Sequence, residues 1–195
     1  RAGDDGFVHE AAHLARQRGE SPAWKLGRDE WIVVEDRHVQ SGGVDRELTW
    51  AHPVAGSTLV VAFPAIALAA SLRLTYGIAD SGLQFRSGAP VDVSVFVDGA
   101  RVLDASSPNT PGWKQAWADT SGKAGQSADV VLLIRCASDI SRHFAFGLDA
   151  SSDAARGAVQ APLTGPVPLT GSRTLRDGID HLRVYRLEGD TRIEA

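Results

Sequence analysis

Val91-Asp92-Val93-Ser94-Val95-Phe96-Val97-Asp98-Gly99 is the stretch that decides the fold. Four valines, Val91, Val93, Val95 and Val97, alternate with Asp92, Ser94, Phe96 and Asp98. A period of two puts successive side chains on opposite faces of a strand, so the valines share one face. Asp98-Gly99 then supplies the positive-φ pair that a tight hairpin needs, and Arg101 to Asp104 reads as the returning strand.

The same period runs outward in both directions. On the N-terminal side, Leu72, Leu74, Tyr76 and Ile78 alternate with Arg73, Thr75 and Gly77; before them come Leu59, Val61 and Phe63, Leu48-Thr49-Trp50, and Trp31 to His38. On the C-terminal side, Trp113 to Asp119, Ala128 to Arg135, His143 to Asp149 and His181 to Leu187 complete the set. Short strands at near-regular spacing, parted by Gly, Pro, Asp and Ser, specify an all-β antiparallel sandwich or barrel. No segment of crossover-helix length separates them, which argues against a parallel α/β sheet.

The two flanks of this pattern differ from it. Phe7 to Arg18 predicts a short N-terminal helix: Asp4 and Asp5 precede it, arginines close it, Gly19 stops it, and Phe7, Ala11, Leu14 and Ala15 share one helical face. Gly19 to Gly27, with Pro22 inside, reads as a linker. The expected organisation is therefore an N-terminal helix and linker over 1–27 and one β-sandwich domain over 28–195. Residues 150–180 are small, polar and Pro-rich, and Pro-Leu-Thr-Gly occurs at 162–165 and again at 168–171. This segment is expected to be a long surface loop lying over a sheet edge.

Composition removes several function classes. In 195 residues, 20 Lys and Arg stand against 24 Asp and Glu, a net charge of −4, and the charges are interspersed. Such a balance gives no electrostatic footprint for nucleic acid or an anionic membrane surface. Cys136 is the single cysteine, so no disulfide forms within the chain; it ends the apolar run from Val130 and reads as a buried, inert thiol. Thr58 to Ala70, broken by Pro64, falls short of the ~20 residues a membrane-spanning helix needs. There is no methionine, which implies a chain that begins mid-protein or after a processed segment.

From Val91 onward the order of features resembles a known family. The run Val91 to Gly99 is followed by Gly112-Trp113, Asp119-Thr120-Ser121, Ala124-Gly125, the apolar strand Val130 to Ile134, and His143-Phe144-Ala145-Phe146. This resembles the galactose-binding-like jelly-roll sandwiches, which serve as carbohydrate-binding modules and accessory domains of secreted and envelope proteins. The resemblance covers residues 46–149 and the last strand at 181–187. It implies a non-catalytic recognition module, a periplasmic or extracellular location, and a glycan or another envelope protein or domain as partner. Many members of the family carry a structural calcium. No dense Asp/Asn/Glu loop stands here, so such an ion would rest on backbone carbonyls and a lone carboxylate.

A binding site is expected at one end of the sandwich. Alternate loops of an antiparallel sandwich gather at the same end. With Asp98-Gly99 at the bottom, loops 79–90, 105–112 and 136–142 share the top. They bring Asp80, Gln84, Phe85, Arg86, Asn109, Asp139 and Arg142, with Trp113 and His143 at the strand mouths. Polar groups of this kind pair sugar hydroxyls, an aromatic ring covers the apolar sugar face, and Arg86 or Arg142 suits a carboxylate. Polar loop residues and packed tryptophans are equally the ordinary furniture of a sandwich. Asp80 with Asp139 is the carboxylate pair to check for glycoside chemistry.

One catalytic alternative stands apart. His9-Glu10-Ala11-Ala12-His13 matches the zinc-protease signature, in which His9 and His13 of a helix bind zinc and Glu10 activates water. Chance produces such a match in fewer than about 1% of chains of this composition. The context opposes it: only eight residues precede His9, and the extended signature would want Gly at 16 and a ligand at 19, where Arg16 and Gly19 stand. No third ligand is evident, and a catalytic zinc needs three. The bland reading is a surface helix with two solvated histidines.

Overall fold

A computed structural model of the chain describes residues 7–10, 12–14, 23–25, 33–84, 88–137, 142–152, 172–174 and 183–188. Among these, the strands are β1 (Phe7–Glu10), β2 (Ala12–Leu14), β3 (Ala23–Lys25), β4 (Val33–Ser41), β5 (Val44–Ala51), β6 (Ser57–Ala67) and β7 (Ser71–Ile78). After a one-turn helix α1 (Asp80–Leu83) come β8 (Val91–Val97), β9 (Ala100–Ser107), β10 (Lys114–Asp119), β11 (Ser127–Cys136), β12 (Phe144–Ser151), β13 (Ser172–Thr174) and β14 (Arg183–Glu188). They form two antiparallel sheets. The six-stranded sheet runs β1-β14-β6-β11-β8-β9, and the eight-stranded sheet runs β10-β7-β12-β5-β4-β3-β2, with β13 added beside β12.

The alternation read from Val91 to Val97 sets the inside of this sandwich. All four valines are buried, at 2% exposure or less, and Asp92 is exposed. Across the interior they meet Leu72, Leu74, Tyr76 and Ile78 of β7 and Phe144, Phe146 and Leu148 of β12 in one continuous core. Asp98 takes φ 49° and Gly99 φ 81°, the left-handed pair a two-residue hairpin demands. At that same end Asp98 receives Lys123 Nζ and the amide of Asp129. Cys136 is buried at the end of β11.

The structure corrects four expectations. Phe7–Glu10 and Ala12–Leu14 are strands, not a helix. β1 pairs with β14 and β2 with β3, so two short edge pairings outweigh the helical preference of an Ala-rich segment. The linker reading of 19–27 fails at Ala23–Lys25, which pairs with β4. Within 150–180, Ser172–Thr174 is a strand paired with Asp149–Ser151; 153–171 and 175–180 lie outside the described residues. The zinc arrangement goes with the helix. His9 stands in the six-stranded sheet and His13 in the eight-stranded one, so the one-turn spacing that would join two imidazoles and Glu10 on one face is absent.

Candidate functional site

The site begins as a break in the eight-stranded sheet. β12 pairs with β7 along its whole length, from Phe144↔Ile78 to Ser151↔Ser71. Its other edge is shared. β5 holds Phe144, Ala145 and Phe146, and β13 holds Asp149, Ala150 and Ser151. Gly147 and Leu148 fall between, at the place where β5 peels away and β13 takes over. A fissure opens there, with a cavity of about 330 Å³.

Its walls come from both sides of the sheet. Arg46, Glu47, Leu48 and Thr49 of β5 form one wall, and Gly147, Leu148 and Asp149 of β12 the other. Thr75 of β7 and Gln115 of β10 line its polar side, and Phe146 and Phe63 line its depth. Phe63 belongs to the opposite sheet, so the fissure reaches the core. Gly147 keeps it narrow but open: a Cβ there would stand 2.7 Å from Leu48 Cδ2.

The floor beside the fissure is polar and buried. On β7 the residues between the core positions are Ser71, Arg73 and Thr75, and all are buried, as are Gln115, Asp149 and Ser151 on the neighbouring strands. A polar side chain withdrawn from water is tolerated when it is paired. The register supplies the pairs. Arg73 stands opposite Asp149, and its Nε and Nη2 donate to Oδ2 at 3.3 and 2.9 Å. Gln115 stands opposite Thr75, and its Nε2 donates to Oγ1 at 3.3 Å. Burial, and then the charge of Arg73, lower the pKa of the Arg46 guanidinium.

The loop end carries the residues singled out in the sequence, and two of them, Asp80 and Trp113, are tied into the fold. Asp80 accepts from the amides of Gly42 and Gly43 at 2.7 and 3.2 Å, tying the β4–β5 turn to α1. Trp113 is fully buried, and its Nε1 donates to the carbonyl of Val44 at 2.8 Å. Its ring packs with Val39, Leu48 and Trp50, closed to any ligand. Gln84 is exposed beyond the end of α1. Arg142 is buried with its Nη2 on Oδ1 of the half-buried Asn109. Arg86 and Asp139 lie outside the described residues, which leaves Asp80 without its proposed partner carboxylate in view.

His143 belongs to a cluster that the sequence did not disclose. Its Nδ1 lies 2.7 Å from Ser81 Oγ, its ring centroid lies 4.8 Å from that of His52, and His52 packs edge-on against Trp50 at 3.9 Å. Arg37 covers the same indole at 4.4 Å. Burial, then His143, then Arg37, push the His52 pKa down to about 3. Burial, Arg37 and Arg142 lower that of His143. Both imidazoles are thus held neutral near pH 7. Among the described residues no group of three or more His, Cys, Asp or Glu side chains is placed to hold a metal ion, and no helix is long and apolar enough to cross a membrane.

The architecture is that of an all-β, two-sheet antiparallel sandwich. No protein-family model and no curated protein matches the chain. Among solved structures, it is similar to the CBM51-2 and INT domains of ZmpB from Clostridium perfringens, at 12% identity and a TM-score of 0.39. That likeness covers 71% of this chain and 40% of the other. It is also similar to the CBM22-1 xylan-binding domain of Xyn10C from Paenibacillus barcinonensis, at 9% identity and a TM-score of 0.24, over 75% of this chain and 83% of the other. Both likenesses are distant, and the functional reading rests on the geometry of the fissure.

Proposed function

We propose that the chain is a non-catalytic glycan-recognition domain of an exported or envelope protein, of the galactose-binding-like jelly-roll kind, and that a sugar unit occupies the fissure between β5 and β12. The lining of the fissure carries this reading. A sugar ring needs hydrogen-bond partners around its rim and an apolar surface against its C–H face. Arg46, Glu47, Thr49, Thr75, Gln115 and Asp149 offer the first, and Phe63 and Phe146 the second. Carboxylates and a guanidinium line the fissure together, which suits a neutral ligand rich in hydroxyls. About 330 Å³ sits at the small end of the ~300–1,000 Å³ common for small-molecule sites, enough for one or two sugar units. At the loop end Asp80 and Trp113 hold the sandwich together.

A glycan-array screen tests the proposal. The expected result is binding to a neutral saccharide, weakened at least about tenfold by Gln115→Ala, which removes one buried polar partner. Retained affinity in that variant would move the site elsewhere.

A second reading, a structural interaction domain, is favoured by one observation. On the outer face of the six-stranded sheet, Val60 and Leu133 form an apolar cluster with the partly buried Phe96 and Val131. Val60 and Leu133 are themselves buried, but Phe96 and Val131 keep part of their apolar surface accessible, which suits a protein partner. No glycan binding, together with association lost on Phe96→Ser, would select this reading.

A further inference from the structure

Arg142 precedes β12 with its side chain fully buried, at 0% exposure. A guanidinium has five N–H donors and no acceptor, and it stays charged throughout the pH range of folded proteins. Here Nη2 donates to Oδ1 of Asn109, while among the described residues Nε and Nη1 have no hydrogen-bond acceptor. Among the described residues no ion pair joins Arg142 to a carboxylate. A buried cation without an anion is among the costliest arrangements in a fold. It contrasts with Arg73, which is also buried and has Asp149 at 2.9 Å.

The seat of this guanidinium is shaped by three loops. A Cβ on Gly88 would stand 1.8 Å from Nη1 and 2.3 Å from Cζ, so only a glycine lets that backbone lie against the group. Asn109 comes from the β9–β10 loop, and none of Gly88, Asn109 and Arg142 lies in a strand. A guanidinium presents two forks to a carboxylate: Nε–H with one N–H of Nη2, and Nη1–H with the other N–H of Nη2. Asn109 takes one hydrogen of Nη2, which leaves one fork complete.

We propose that the guanidinium of Arg142, held by Gly88 and Asn109, is a seat for a carboxylate carried by a ligand. The inference is independent of the fissure. An acidic sugar and a free organic acid present the same chemistry here, and the test separates them.

The experiment is thermal unfolding of the whole chain in titrations with sodium glucuronate, sodium acetate and glucose, at ionic strength matched with sodium chloride. A carboxylate ligand raises the melting temperature with the logarithm of its concentration above the dissociation constant, by about 5–10 °C at a hundredfold excess. Glucuronate acting at far lower concentration than acetate assigns an acidic sugar; equal action assigns a simple carboxylate. Arg142→Gln keeps or raises the melting temperature without ligand and loses the carboxylate response. Asn109→Asp supplies an internal carboxylate, so it also raises the melting temperature and loses the response. A wild-type chain indifferent to carboxylates overturns the proposal. So does a steep loss of stability in Arg142→Gln with no anion response, which would mean an internal counter-ion such as Asp139 or the Cys136 thiolate. Should Arg142→Gln fail to fold, the wild-type titration and Asn109→Asp still decide.

Discussion

Two patches on the outer faces of the sandwich follow the same alternation and end in opposite chemistry. On the six-stranded sheet the outward positions of β6 and β11 include Val60 and Leu133, which pair with each other across the ladder. On the eight-stranded sheet the outward positions of β7, β10 and β12 include Ser71, Arg73, Thr75, Gln115, Asp149 and Ser151, and these six are buried. Apolar groups out of water need no partner. Polar groups out of water need specific ones, at defined positions. The second face is therefore the more exacting structure, and the fissure opens in its sheet.

The sharpest way to break this contrast is to remove one member of the Arg73–Asp149 pair. Asp149→Ala leaves a buried guanidinium and is expected to cost about 3–5 kcal/mol in denaturant-induced unfolding. Arg73→Met combined with Asp149→Leu is expected to recover most of that loss. Equal losses in the single and double variants would show that the polar face is not held by this pair.

Next in size is an effect of acid. The folded-state pKa of His52, about 3, lies below its unfolded value near 6.5. As pH falls below 6.5 the unfolded chain takes up the proton first, so stability is present above 6.5 and declines toward pH 3. Between pH 6.5 and 4.5 the loss from His52 is about 2–3 kcal/mol. His143, lowered by burial and by Arg37 and Arg142, acts in the same direction. Unfolding followed against pH should show this slope in the wild type and a shallower one in His52→Phe.

The smallest effect concerns Ala65, which takes φ 54° near the end of β6 while its amide donates to Asp129 at 2.9 Å. Ala65→Gly relieves a left-handed conformation and is expected to add about 1 kcal/mol of stability, offset in part by the freedom glycine gains on unfolding. It touches neither outer face, so ligand binding should be unchanged.

How much of this was legible beforehand follows from what each feature depends on. Val91 to Val97 and Leu72 to Ile78 announce their faces by local alternation alone, and nearly all the central strands lie where that period places them. The N-terminal strands were missed because four and three residues are too few to display a period, while Asp, Ala and Arg placed as at helix ends mimic a helix. The fissure depends on which strand flanks Gly147 in space, a non-local fact. One signal for it was present: a glycine within a strand pattern, opposite a strand whose outward positions are Ser71, Arg73 and Thr75, marks a close approach or a gap. Trp113 misled because an indole beside loops looks like a sugar platform, whereas the approach of Gly77, whose Cβ would stand 2.9 Å from the ring, buries it.

Amide chemical-shift mapping with a saturating neutral oligosaccharide puts the proposed saccharide seat between β5 and β12 to the test. Perturbations centred on Arg46–Thr49, Thr75, Gln115 and Gly147–Asp149 are the predicted outcome. Perturbations centred instead on Asp80–Gln84 and Asn109, or on Val60, Phe96 and Leu133, with the fissure amides unmoved, would contradict it.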